Sequence, residues 1–211
     1  MSTAPRTLII ACGALSHEIV ALIRGNGWDN FHVQCLPAEL HNRPGEIPGA
    51  VREKIGALRA GYDHVFVAYA DCGTGGQLDA VLAEEDIERL PGAHCYEFFA
   101  GGAVFSALAE QEPGTFYLTD FLARHFDRLI IRGMGLDRHP QLQSMLFGNY
   151  RRLVYLAQRA DPDLERRARD AAERLGLAYE YRYTGYGELG ESLAALRRGT
   201  MTEKEVQWRA S

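Results

Sequence analysis

Short apolar runs alternate with polar or glycine-rich segments along this chain, and the period of the runs changes. The stretch Thr7–Cys12 is almost wholly apolar, rich in branched residues and closed by Gly13, which predicts a first strand. Ser16 is placed to cap a helix running to about Arg24, with Gly25 and Gly27 marking its end. A second strand is predicted over Phe31–Leu36, stopped by Pro37, and a polar loop follows over residues 41–45. Ile47, Val51, Ile55 and Leu58 then recur at helical spacing. Residues 64–70 form the clearest strand, with the near-continuous apolarity of a parallel strand buried on both faces. The loop Asp71-Cys72-Gly73-Thr74-Gly75-Gly76 leads into a predicted helix over residues 78–90. The run from His94 to Phe99, between Pro91-Gly92 and Gly101-Gly102, is read as another strand.

The second half keeps the rhythm less regularly. Residues 115–118 suit a short strand or the lead-in to a helix at Thr119-Asp120. Residues 121–131 carry a helical apolar face, broken at Gly133 and Gly135, and residues 141–147 predict another helix. Arg152–Ala157 is predicted as a strand. Asp161-Pro162 is a strong helix start, for a helix reaching Leu175. A last strand is expected over Ala178–Tyr183 and a last helix over residues 189–196. Repeated strand, loop and helix imply an α/β fold: an open, mostly parallel sheet with flanking helices and right-handed crossovers. Residues 1–198 are expected to form one domain, with two Rossmann-like lobes as the alternative, and residues 199–211 a polar C-terminal tail.

The length of 211 residues allows a substantial core. The formal net charge of −5 argues against a general nucleic-acid binder, and the pairs Arg151-Arg152 and Arg166-Arg167 read as solvated helix surface. No apolar stretch approaches the length of a membrane span, and the polar N-terminus lacks the pattern of a signal peptide. A cytoplasmic protein acting on a small polar or anionic metabolite is therefore expected. In that compartment the four cysteines are free thiols or ligands rather than disulfides.

Ligands of an open α/β sheet bind beyond the carboxyl ends of its strands. Cys12 and Cys72 fall at such ends, and Cys95 lies beside His94 and near Glu97. Three thiolates can hold a metal: zinc first, with an iron-sulfur cluster as the alternative, although no compact cluster spacing supports it. Glu97 and His41 are candidate catalytic acid-base groups. Asp71, Gly73, Thr74, Gly75 and Gly76 form a candidate cofactor-binding cradle for an anionic group, although the loop matches neither dinucleotide nor nucleotide-phosphate motifs. Arg43, Asp137, Tyr150 and Arg151 are candidate substrate-binding residues. Against each stands a plain structural role, since free cysteine often packs as a small hydrophobe and tyrosine often packs in a core.

Several motifs together resemble the DUF1638 family of uncharacterised proteins. They are Cys12-Gly13-Ala14-Leu15, Leu36-Pro37-Ala38-Glu39-Leu40-His41-Asn42, Tyr69-Ala70-Asp71-Cys72-Gly73-Thr74-Gly75-Gly76, His94-Cys95-Tyr96-Glu97-Phe98-Phe99-Ala100-Gly101, Tyr117-Leu118-Thr119-Asp120-Phe121 and Phe147-Gly148-Asn149-Tyr150-Arg151. The resemblance implies proximity to methylamine and corrinoid methyl-transfer systems, and hence one-carbon metabolism. It carries over no catalytic role for any residue. Two functions are expected to compete: a metal-dependent enzyme acting on a small polar metabolite, and a non-catalytic cofactor-binding or accessory protein that partners a corrinoid methyl-transfer pathway. The corrinoid-carrier signature DxHxxG is absent from the sequence. A third possibility is a protein whose cysteines only fill the core.

Overall fold

A computed structural model describes residues 5–199. The polar tail expected beyond Gly199 lies outside the described residues. The α/β expectation holds: the chain forms two parallel sheets flanked by helices. The described residues divide into two compact units, one built from residues 5–95 with 189–199 and the other from residues 96–188.

The first unit contains β1 (Thr7–Cys12), α1 (Ser16–Gly25), β2 (Phe31–Leu36), α2 (Ile47–Leu58), β3 (His64–Ala68), α3 (Gln77–Glu85) and β4 (Glu88–Arg89). Its sheet has the order β2-β1-β3-β4, with every neighbouring pair parallel. Thr7 stands opposite both Phe31 and His64, so β1 is the central strand on which its neighbours are registered. Side chains alternate across a strand. Leu8 and Ile10 of β1 and Val67 of β3 therefore share one face, where they pack with Ile47, Val51 and Ile55 of α2 and Leu78 and Leu82 of α3. Residues 78–90 do not form one helix. The chain leaves α3 at Asp86, which adopts a left-handed conformation, and β4 completes the sheet edge.

The second unit begins within α4 (Cys95–Ala100), at Tyr96. It contains α5 (Gly102–Gln111), β5 (Thr115–Leu118), α6 (Asp120–Arg124), α7 (Leu142–Phe147), β6 (Arg152–Ala157), α8 (Pro162–Leu175) and β7 (Ala178–Tyr183). The sheet order is β5-β6-β7, again all parallel. Tyr117, Val154 and Leu156 pack with Leu108 of α5, flanked by Tyr96, Ala100 and Phe105. On α8, the Asp161 carboxylate accepts amide hydrogens from Asp163 and Leu164, Pro162 occupies the first turn, and Gly176 closes the helix in a left-handed conformation. Finally, α9 (Leu189–Arg198) belongs to the first unit and buries Leu189 and Leu193, with Gly190 lying against Leu22 of α1.

Two predicted elements change character. The strand expected from His94 to Phe99 is the helix α4, which buries Phe98 and Phe99. The helical face expected over residues 121–131 is divided: α6 ends near His125, and a π-helical turn over Asp127–Arg132 follows. Among the described residues, no helix is long and apolar enough to cross a membrane.

Candidate functional site

In the first unit the carboxyl ends of β1 and β3 bring together residues that lie far apart in sequence. Cys12 ends β1, and both its thiol and that of Cys72 pack against the core under α2 and α3. Cys72 lies in the loop that follows β3. Its amide donates to the Ala93 carbonyl at 2.8 Å, and the Asp71 amide donates to the Gly92 carbonyl at 3.1 Å. The loop before α4 is thereby tied to the loop after β3. The amide of Cys95 reaches the Cys72 thiol, so these two cysteines meet through backbone and side chain.

Cys72 has a φ of +51°, in the left-handed region that ordinary side chains avoid. Its neighbours explain how it is held there. The Asp71 carboxylate accepts hydrogen bonds from the Thr74 hydroxyl at 2.6 Å and the Gly76 amide at 2.9 Å. Its other oxygen accepts from the amides of Gly75 at 3.1 Å and Gly73 at 3.2 Å. Burial by itself raises the Asp71 pKa, but these hydrogen bonds and the Arg89 charge outweigh it and hold the carboxyl below its ordinary range. The candidate cradle of Gly73, Thr74, Gly75 and Gly76 is thus closed around an anion of its own chain, and an external anion must compete with Asp71 for those donors.

Burial sets the protonation of the thiols. It raises Cys12 above the usual thiol range, and it pushes Cys72 up to about 12, reinforced by the nearby Cys12 and opposed by the amides of Cys95 and Ala70. Near neutral pH both are protonated, so neither is a ready nucleophile on its own. Tyr69, almost fully buried, places its hydroxyl beside Cys12, and burial raises its pKa. The approach falls short of a full hydrogen bond and leaves the hydroxyl without a conventional partner. The Tyr69 hydroxyl and the Cys12 thiol therefore face each other at the end of β1, inside the protein. His41 sits in a 3-10 turn over Ala38–Asn42, where burial and the neighbouring His94 both lower its pKa. It is therefore a neutral imidazole near pH 7.

The other expected residues are distributed differently. Among the described residues, no group of three or more histidine, cysteine, aspartate or glutamate side chains forms a ready metal-binding set. Cys12, Cys72 and Cys95 are thus near neighbours rather than a preassembled triad. Glu97 shares α4 with Cys95 but stands two positions on, where helix geometry turns it to a different side, and its carboxylate approaches the backbone of Gly102. Arg43 pairs with Glu46 at 3.2 Å, with both side chains largely exposed. In the second unit Tyr150, partly buried, packs edge-on against Phe116 and lies beside Phe147. Arg151 donates its amide to the Gly114 carbonyl, and Asp137 lies 3.9 Å from Arg138 at the surface.

The family model for DUF1638, described as a protein of unknown function, matches residues 35–193. The chain belongs to the DUF1638 family. No curated protein and no solved structure matches it. The DUF1638 match includes Tyr69, Cys72 and Cys95 but begins after Cys12, so the β1 contribution to the thiol site lies outside it.

Two participants escape sequence reasoning. Tyr69 is hidden in an apolar run, where its hydroxyl gives no separate signal. Arg89 follows Glu88 in a two-residue strand, yet its side chain is only 7% exposed. It is held by Asp79 and by the carbonyls of Leu90 and Gly92, from where it contributes positive charge toward Asp71 and Cys72.

Proposed function

We propose that this DUF1638 protein is a metal-dependent enzyme acting on a small polar metabolite, with zinc as the leading metal and methyl transfer as the leading reaction class. The observation that carries the reading is the convergence of Cys12, Cys72 and the Tyr69 hydroxyl at the carboxyl ends of β1 and β3. The donor set is chemically suited to zinc, because thiols and imidazoles are its usual protein ligands. A bound metal would supply Lewis acidity and favour thiolates over thiols. Loading must therefore release the protons that burial keeps on Cys12 and Cys72, which makes affinity rise with pH. Cys95, whose amide reaches the Cys72 thiol, and the adjacent His94 are further candidate ligands. His41, neutral at pH 7, is the candidate proton acceptor, and Arg43 the candidate carboxylate partner once its exposed pairing with Glu46 is exchanged.

A second reading draws on the packing of Cys12 and Cys72 against apolar neighbours: both thiols serve as core filling. Metal analysis of protein purified without oxygen separates the two. Zinc near one equivalent per chain, lost in Cys72→Ala and bound more tightly as pH rises, is the outcome expected of the enzyme. Iron with sulfide and charge-transfer absorbance would replace zinc by a cluster. Protein that remains metal-free after reconstitution with zinc and with iron and sulfide would overturn the metal reading in favour of packing.

A further inference from the structure

The second unit carries a cleft of about 340 Å³ that the thiol site does not use, and its lining is unlike the rest of this acidic chain. Five arginines line it, accompanied by Asp127 and Asp170. They come from two helical walls. Arg124 closes α6, and Arg128 and Arg132 follow at four-residue intervals through the π-helical turn. From the opposite wall, α8 contributes Arg167 and Arg174, seven residues apart and so on one helical face. The π-helical turn matters here. A π-turn is wider than an α-turn and recurs at functional positions, and this one carries two of the five arginines.

The carboxylates do not balance these cations. Asp127 pairs with Arg174, whereas Asp170 pairs with Arg166, which is not part of the lining. Arg167 is held by Asp163 from outside the cleft. Among the described residues, Arg124 and Arg132 have no carboxylate partner. Gathering like charges on facing helices is unfavourable unless an anion is shared between them. The cleft volume lies at the lower end of the range for small-molecule sites. Guanidinium groups bind phosphate oxygens in a bidentate fashion, a geometry that ammonium groups do not reproduce.

We propose that this cleft is a binding site for a small phosphorylated metabolite carrying at least two negative charges, with Arg124 and Arg132 as its principal contacts. The site is separate from the thiol site, lies wholly within the second unit, and does not depend on the metal reading. An isolated phosphate spans less than the cleft, so a diphosphate or a phosphate ester bearing a further anionic group fits its charge and size better.

Isothermal titration of the full chain with inorganic pyrophosphate tests the assignment. Saturable one-to-one binding is expected, weakening as salt is raised. The double variant Arg124→Gln/Arg132→Gln should bind roughly tenfold or more weakly. Arg124→Lys/Arg132→Lys, which keeps the charge but loses the planar fork, should fall between it and the parent. Arg169→Gln removes an arginine of α8 outside the cleft and should bind like the parent. Thermal melts of the variants without ligand verify that each is folded. Absence of saturable binding at millimolar pyrophosphate would overturn the proposal, as would equal weakening by Arg169→Gln. Preference for a single-stranded oligonucleotide over pyrophosphate would also overturn it, identifying a nucleic-acid surface instead.

Discussion

Cys72 shows how neighbouring hydrogen bonds hold a non-glycine residue in a left-handed conformation. A left-handed non-glycine residue costs of order 1 kcal/mol or more, and it persists because its surroundings over-determine it. Here the surroundings are the Asp71 carboxylate on one side and the Ala93 carbonyl on the other. If the conformation belongs to the loop rather than to the thiol, glycine should suit the backbone better than alanine. We expect Cys72→Gly to be more stable than Cys72→Ala by about 1 kcal/mol in urea unfolding at neutral pH, with both variants losing bound metal. Equal stabilities would show that the positive φ carries little strain. Asp71 and the three glycines were visible in the sequence as a polar loop at a strand end. That the loop closes on its own carboxylate was not, because glycine spacing alone does not say which anion fills the turn. Tyr69 was equally hidden, since a hydroxyl within an apolar run reads as apolar.

Element by element, what was legible depended on local signals. The helix α8 was read correctly from Asp161-Pro162 to Leu175 because its cap, its first-turn proline and its closing glycine are all local. The strand β3 was nearly as plain, since parallel burial makes its sequence continuously apolar. By contrast the sequence of α4 reads as a strand. Its aromatic run is six residues long, and over so short a span periodicity does not separate a buried strand from a buried helix. The two-residue β4 is too short to leave any pattern. Elements are also joined by groups that sequence does not pair. The carboxylate of Asp120, at the start of α6 and 1% exposed, accepts hydrogen bonds from the Tyr155 hydroxyl at 2.7 Å and the Gln158 amide at 3.0 Å, while Arg159 lies 3.5 Å away. This fastens α6 to the end of β6. Tyr155→Phe removes one donor from a buried carboxylate and should lower stability by about 1.5–3 kcal/mol, read as a fall in the urea midpoint. A change below measurement error would mean that the remaining donors suffice.

At the scale of the whole molecule, the path of the chain is not legible in the sequence. The last helix, α9, returns to the first unit, so that unit is discontinuous while the second is one continuous segment. No local signal announces such a return, because the apolar stripe of α9 looks the same whichever surface it covers. The connectivity has a measurable result. A chain ending at Glu188 lacks Leu189 and Leu193, which are fully buried in the intact protein, and should lose the cooperative melting of the first unit. Residues 96–188 produced alone should keep a cooperative thermal transition and helical circular dichroism. Loss of that transition in the isolated segment, or an unchanged melt in the shortened chain, would refute this account.

The same discontinuity sets an order in time. A polypeptide leaves the ribosome from its amino end, and domains generally fold as units once their sequence has emerged. The second unit is whole when Glu188 has emerged, whereas the first still awaits α9. The first unit is therefore completed after the second, and the contact of α9 with α1 at Leu22 forms last.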